Sequence, residues 1–359
     1  MTRRRALAAL GVLVAVLAAT IARAPAARAQ DSVAPPPGME APVPPPAPAP
    51  APGAESPAPP AGKDAEKAKE KDPKRSMQAL EDLIESKPAA AAALVLFRFG
   101  LFAAGIVLIL LAASRRSAVR KGLLPAPPPV PTPVVPLPLP YALLLVLGVY
   151  LLVDVTRHAL LEAYPDTFRS QTVLGIVAMA LPSIAASFLV LRLRARARQL
   201  QFRPPPPVGP SIRRGAWTYV VGSAAAVVAA LVAKPILEWA GQEAVPQVPV
   251  IDAVMGPMGT VWLITAYGIL VAPFAEEALF RGLLHPAARV YLGARGATIG
   301  VAVLFALVHQ NLFSFLPLFT LALFLGWLME ETDSLLATFT VHALFNATNL
   351  IPILLFRYA

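Results

Sequence analysis

The sequence lacks cysteine and has few charged residues. The absence of cysteine excludes disulfides, thiolate metal ligands and a cysteine nucleophile within these 359 residues. Charged residues make up 14%, whereas a soluble domain usually carries about 25%. Apolar residues reach 57% and the mean hydropathy is +0.63. These values argue against an ordinary soluble enzyme. They predict an all-α, polytopic bundle of membrane helices.

Several catalytic motifs are also missing. The sequence contains no P-loop, no G-x-S-x-G elbow and no H-E-x-x-H motif. Nucleotide hydrolysis, serine hydrolase chemistry and soluble-type zinc protease chemistry therefore have no support in the sequence.

The first 90 residues are predicted to precede the membrane core. Residues 1–29 have a basic start, an apolar stretch and an Ala-Arg-Ala cleavage site, which is typical of a signal peptide. The alternative is an uncleaved first anchor. Residues 30–90 are rich in Pro and Ala and then in charge, and much of the chain's total of 40 Pro lies here. This composition predicts a disordered arm outside the membrane, interpreted as a solvated spacer.

Eight apolar runs predict about eight transmembrane helices. We expect accessory helices within 91–215 and a functional core within 216–356. The predicted spans are 91–113, 141–155, 172–193, 216–237, 259–282, 297–313, 315–329 and 335–356.

Lysine and arginine predict the orientation of these spans. Most of those between spans fall in alternate loops, around 115–121, 192–214 and 281–295, which are therefore predicted to be cytoplasmic. The alternation Arg192, Arg194, Arg196, Arg198 is interpreted as a topology signal, with no nucleic-acid partner. We expect an integral protein of a bacterial inner membrane, with its arm outside and its active site open to the cytoplasm.

Two of the predicted cytoplasmic loops are rich in proline, at 125–140 and 204–210. We interpret them as stiff spacers beside the lipid headgroups. Binding of partner modules that recognise proline-rich segments is the alternative.

Two adjacent glutamates lie on the otherwise apolar fifth span. An acidic side chain at the centre of a span costs about 2.5–3.5 kcal/mol, so Glu276 and Glu277 indicate a functional site. The alternative is a helix end whose carboxylates lie in water. Glu277 and Arg281 are spaced i, i+4 and are predicted to pair, which leaves Glu276 as the candidate general base. Pro273 is predicted to free the carbonyl of Ile269 and to kink the helix.

Two histidines on later spans complete the candidate site. His309 ends the pattern Phe305-x-x-x-His309, and His342 begins His342-x-x-x-Asn346, whereas His158 and His285 are predicted to fall in loops. We expect Glu276, His309 and His342 to converge part-way into the bilayer. Glu276 with His309 could activate water while His342 and Asn346 hold an oxyanion. Alternatively, His309, His342 and a glutamate such as Glu276 could bind Zn²⁺. The residues alone leave both chemistries open.

These three motifs, Glu276-Glu277-x-x-x-Arg281, Phe305-x-x-x-His309 and His342-x-x-x-Asn346, resemble those of the CPBP (CAAX protease and bacteriocin-processing, or ABI) family of intramembrane proteases. The resemblance covers about residues 216–356. It implies endopeptidase activity on membrane-associated peptides. It also implies that Glu276 and His309 activate water, that His342 and Asn346 form the oxyanion site, and that Glu277 and Arg281 support them.

Two other functions compete with proteolysis. A non-catalytic immunity or scaffold protein of the same family would not need every motif residue. A proton or ion transporter could use buried carboxylates and histidines as a relay, although no inverted repeat is evident in the sequence.

Overall fold

The computed structural model describes residues 82, 84–123, 125, 132–163, 168–242 and 258–358. The predicted signal peptide, most of the predicted arm and part of the first proline-rich loop lie outside the described residues. Within them, every regular element is a helix, as predicted. In chain order these are α1 (Pro88–Arg120), α2 (Leu139–Ala163), α3 (Phe168–Leu200), α4 (Val208–Trp239), α5 (Met258–Ala266), a π-helical turn (Tyr267–Val271), α6 (Ala272–Glu277), a second π-helical segment (Ala278–Leu284), α7 (His285–Val308), α8 (Leu312–Thr332) and α9 (Leu335–Tyr358).

Seven helices in the described part of the chain are long and apolar enough to cross a membrane. The fifth of them runs from Gly259 to Val308 over 50 residues and contains both the fifth and the sixth predicted spans. A straight helix of that length would measure about 75 Å, far more than the roughly 30 Å hydrocarbon core. This run must therefore bend if it lies in a bilayer.

The bend lies at Gly293, where φ is 72° and ψ is 173°. Only glycine adopts this conformation without strain, so the residue type permits the break. His285 Nε2 lies 3.3 Å from Thr298 Oγ1, and the rings of Phe280 and Phe305 are 5.2 Å apart. In a straight helix, thirteen residues would separate the first pair by about 20 Å. The run therefore folds back on itself as two antiparallel segments, which accounts for both predicted spans.

The sixth predicted span ends earlier than expected. We expected the sixth span to reach residue 313, but α7 ends at Val308, and Gln310 has a φ of 50°. Asn311 then caps α8 by accepting a hydrogen bond from Ser314 N at 2.8 Å. This cap fixes the start of α8 and leaves His309 at the end of its helix rather than deep inside it.

The three loops predicted to be cytoplasmic meet the end of α8 at one end of the bundle. Arg203 donates to the carbonyl of Thr132, so the first proline-rich loop contacts the end of α3. Across the same end, ion pairs join Arg214 to Glu331 at 3.2 Å and Arg289 to Glu330 at 2.7 Å. We call this the charged end. The contacts agree with the predicted alternation of the loops, whereas the side of the membrane remains a prediction.

Asp333 is the centre of the charged end. Arg194 donates to Asp333 Oδ1 at 2.6 Å and to the carbonyl of Gly282 at 3.0 Å, while Arg198 donates to Asp333 Oδ2 at 2.5 Å. The side chains of Arg194 and Asp333 are 5% and 2% exposed. Our interpretation of these two arginines as a topology signal alone was therefore incomplete, because they join α3 to the loop before α9 and to the second π-helical segment.

At the other end of α1, one arginine ties this helix to the core. Arg98 donates to the carbonyl of Thr348 and to Asn349 Oδ1 at 2.8 and 2.9 Å. Gly105 permits the close approach to α4, because a Cβ there would lie 2.5 Å from Ala224 Cβ. Most other α1 side chains are exposed, which suits a helix surrounded by lipid.

We predict that Asp333→Ala lowers the free energy of unfolding by about 3–5 kcal/mol, because it leaves the buried guanidinium of Arg194 and the partly buried one of Arg198 without their carboxylate. Thermal unfolding in detergent measures the effect. Glu331→Ala is the matched control, since its partner Arg214 is 58% exposed and that pair should contribute less than about 1 kcal/mol. Equal melting temperatures for the two variants would contradict the structural role of Asp333.

Candidate active site

Pro273 shapes the helix that carries the two glutamates. We predicted that it would free the carbonyl of Ile269. Instead the chain forms a π-helical turn, in which the N–H of Ala272 bonds the carbonyl of Tyr267, five residues back. In this wider spacing, the missing N–H of Pro273 would have faced the carbonyl of Gly268. That carbonyl accepts instead from Asn346 Nδ2 at 2.7 Å.

Glu277 contacts both Arg281 and His342 in a buried cluster. Its Oε1 accepts a hydrogen bond from Arg281 Nη1 at 3.0 Å, which is the predicted i, i+4 pair. The same oxygen lies 2.9 Å from Nδ1 of His342 on α9. The side chains of Glu277 and Arg281 are each only 1% exposed. The alternative of two glutamates in water at a helix end is therefore wrong for Glu277.

Arg281 is enclosed by apolar and aromatic groups. Its guanidinium carbon lies 4.5 Å from the centre of the Phe305 ring and 5.9 Å from that of Phe280. Nη2 also donates to the carbonyl of Ala322 on α8 at 3.4 Å. The cation thus has one carboxylate, one carbonyl and two ring neighbours, a set that offsets part of its desolvation.

Glu276 lies between the two histidines. Its Oε2 is 3.8 Å from Nε2 of His309 and 3.8 Å from Nε2 of His342. These distances exceed a direct hydrogen bond, and Glu276 Oε2 makes none. The side chains of Glu276 and His309 are 22% and 20% exposed, in contrast to Glu277. The expected convergence of Glu276, His309 and His342 is therefore present.

Both imidazoles are oriented through Nδ1. His309 Nδ1 lies 2.7 Å from the carbonyl of Phe305, and His342 Nδ1 lies 2.9 Å from the Glu277 carboxylate. A carbonyl or a carboxylate paired with arginine can only accept, so both Nδ1 atoms donate. Each ring therefore presents Nε2 to Glu276. The Phe305-x-x-x-His309 spacing has a direct function here, because the carbonyl of Phe305 orients the ring one turn later.

The cluster lies inside the apolar part of the bundle. His342 is nine residues beyond Asp333, which corresponds to about 14 Å of helix from the charged end. Between the glutamates and that end, residues 278–284 are all buried, whereas most of residues 266–272 are partly exposed. Among the described residues of this helix, exposure is thus greater on the side away from the charged end. Access from the cytoplasm remains a prediction.

The donor atoms of Glu276, His309 and His342 match those of a zinc site in type but not in spacing. Two imidazoles and one carboxylate form a His₂Glu set, and each imidazole has an acceptor on its other nitrogen. Bonds of 2.0–2.1 Å in a tetrahedron would place neighbouring donors about 3.4 Å apart, less than the 3.8 Å found here. Across the described residues, no three His, Cys, Asp or Glu side chains are arranged to hold a metal ion.

His158 and His285 were both wrongly predicted to fall in loops. His158 lies within α2, where its Nδ1 is 2.9 Å from the carbonyl of Asp154. The helix that carries the two glutamates continues past Gly282 to Gly293, so His285 begins α7 and is fully buried. Its Nε2 lies near Thr298 and 3.7 Å from Glu330 Oε1, away from the glutamate cluster. Sequence reasoning also missed Gly268. The nearby Pro273 was the available signal, because a proline in a membrane helix always leaves a carbonyl to be satisfied.

The fold and this cluster define an integral membrane protein with an intramembrane glutamate–histidine site. Residues 258–348 match the family model described as "Type II CAAX prenyl endopeptidase Rce1-like". The match covers about a quarter of the chain and supports an assignment of this segment to the CAAX protease (CPBP) family, a family of peptide hydrolases. Comparison with curated proteins gave no match. Comparison with solved structures gave none either.

We predict that Arg281→Met destabilises the protein by about 3–5 kcal/mol, because Glu277 would remain buried without its cation. Methionine keeps much of the length of the side chain, so lost packing contributes little. Thermal unfolding in detergent is again the measurement, and Arg295→Met, at an exposed position of α7, is the control. If the two variants have the same melting temperature, the buried Glu277–Arg281 pair does not stabilise the site.

Proposed function

We propose that the protein is an intramembrane endopeptidase that hydrolyses peptide bonds of membrane-associated peptides or proteins. The single observation that supports this most is the position of Glu276 Oε2, at 3.8 Å from Nε2 of both His309 and His342. Oε1 of the neighbouring Glu277 binds Arg281 and His342, and that side chain is 1% exposed, so the 22% exposed Glu276 is the carboxylate better placed for reactants. The match of residues 258–348 to a protease family supports the same class of reaction.

In the proposed reaction, Glu276 is the general base. A water held between Glu276 and His309 loses a proton to Glu276 while its oxygen attacks the peptide carbonyl carbon. The carbonyl π electrons move to oxygen. In the proposed step His342 is an imidazolium, which donates from Nδ1 to Glu277 and from Nε2 to that oxyanion. Glu276 then passes the proton to the leaving amine as the C–N bond breaks. The oxyanion electrons re-form the C=O bond, and the products are a carboxylic acid and an amine, which exchange a proton to give a carboxylate and an ammonium.

Glu277 and Arg281 are positioning residues in this scheme. Arg281 keeps Glu277 ionised in an apolar setting, and Glu277 holds the His342 ring. Removal of either would misplace Nε2 without removing the base.

The proposed site of action is the bilayer of a bacterial inner membrane, with the charged end in the cytoplasm. Support comes from the apolar helices and from the basic loops that meet at one end. The proposed substrate is a peptide segment that the membrane itself holds, since the glutamate cluster lies among apolar helices rather than in a soluble domain.

We predict that Glu276→Gln abolishes cleavage, because an amide cannot accept the proton of water. The variants are expressed in the host membrane, and new peptide termini are compared by mass spectrometry with those produced by the wild type. Glu238→Gln is the matched control, since Glu238 is exposed at the end of α4 and pairs with Lys234, its one ion-pair partner among the described residues. Identical sets of new peptide termini with the wild type and with Glu276→Gln would contradict the proposal.

We further predict that dialysis against a strong chelator leaves the cleavage rate within about twofold, because the proposed steps use only side chains and water. We favour the metal-free reaction because Glu276 Oε2 lies 3.8 Å from Nε2 of both His309 and His342, farther apart than neighbouring zinc ligands. Zn²⁺ bound by His309, His342 and Glu276 is the competing chemistry. Loss of activity on chelation, restored by stoichiometric Zn²⁺, would favour it over the metal-free reaction.

A further inference from the structure

We infer that Asn346 is a positioning residue, which replaces the missing N–H of Pro273 at the carbonyl of Gly268 and so holds the helix that aims Glu276. This inference rests on the proposed function for its catalytic consequence. The predicted alternative is that the Asn346 amide donates to the substrate oxyanion.

The backbone of the π-helical turn lacks one hydrogen-bond donor. In the π-helical turn, Ala272 N–H bonds the carbonyl of Tyr267, so the next N–H in that register belongs to residue 273 and would bond Gly268. Residue 273 is proline and has no N–H. A carbonyl left unsatisfied in an apolar bundle costs about 1–3 kcal/mol, so a side-chain donor there is strongly favoured.

Asn346 is that donor. Its Nδ2 lies 2.7 Å from the carbonyl oxygen of Gly268, a good hydrogen-bond length. Glycine at 268 favours this close approach: a Cβ there would lie 2.7 Å from Leu350 Cδ1, on the same helix as Asn346, and that leucine side chain would have to move. Helix α9 thus packs directly on the π-helical turn and closes the gap in its hydrogen bonds.

The turn controls the direction of the glutamates. A π-helical turn holds one more residue than an α-helical turn, and each residue rotates the chain by about 100°. If the turn reverted to α-helical spacing, Glu276 and Glu277 would rotate by about that angle relative to α9. Glu276 would then leave the two Nε2 atoms, and Glu277 would leave His342, whereas Arg281, which follows the same turn, would rotate together with Glu277. Asn346 therefore acts on catalysis through the backbone.

The test is a double-mutant cycle between Asn346 and Pro273. Pro273→Ala restores a backbone N–H, and with either helical spacing Gly268 then gains a backbone donor. We expect Asn346→Ala to lower kcat by tenfold or more in the wild-type background but by less than threefold in the Pro273→Ala background. Because both losses are ratios, the effect of Pro273→Ala itself cancels. Equal losses in the two backgrounds would overturn the inference and indicate an oxyanion donor.

A second readout needs no substrate and so stands apart from the proposed function. In the substrate-free protein, Asn346→Ala should lower the melting temperature in detergent by about 3 °C or more, and Pro273→Ala should suppress that drop. Pro182→Ala, at a proline inside α3, is the matched control background and should leave the drop unchanged. A residue that contacts only the oxyanion would not alter the melting temperature, and that result would overturn the inference even if no cleavage were detected.

Discussion

The whole site depends on one buried ion pair. Glu277 and Arg281 lie among helices apolar enough to span a membrane, with 1% of each side chain exposed. Isolated charges there would be costly, and the pair reduces this cost only with the further contacts of His342, Phe305 and Ala322. Each of these contacts comes from a different part of the chain. The requirement to neutralise one cation therefore fixes α6, α7, α8 and α9 around the same point.

The same constraint separates the two glutamates. Adjacent residues on a helix point about 100° apart, so one carboxylate can be enclosed while its neighbour remains partly open. Glu277 carries the structural contacts, and Glu276 remains 22% exposed between two ring nitrogens.

Prolines add a second constraint, because every membrane helix must satisfy its own carbonyl groups. Asn346 at Gly268 and Arg194 at Gly282 each supply a donor near a proline, Pro273 and Pro286 respectively.

Spacing rules predicted the local part of this arrangement well. The Glu277–Arg281 pair and the orientation of His309 by Phe305 follow from i, i+4 geometry, which a sequence displays directly. The convergence of Glu276, His309 and His342 was predicted because polar residues are costly in apolar helices. Contacts between segments that are distant in the sequence were harder to predict. Asp333 looks like an ordinary loop residue until Arg194 and Arg198 are placed around it. His285 was misplaced because Gly282 resembled a helix end, whereas Gly293 makes the turn.

The central claim is that both imidazoles are held through Nδ1 so that Nε2 faces Glu276. Nitrogen NMR of protein labelled with ¹⁵N-histidine tests it most directly, since the chain has only four histidines and single substitutions assign them. We expect a protonated Nδ1 in both His309 and His342. An unprotonated Nδ1 in either ring would contradict it, because that ring could not donate to Phe305 or Glu277 and would not present its Nε2 as described.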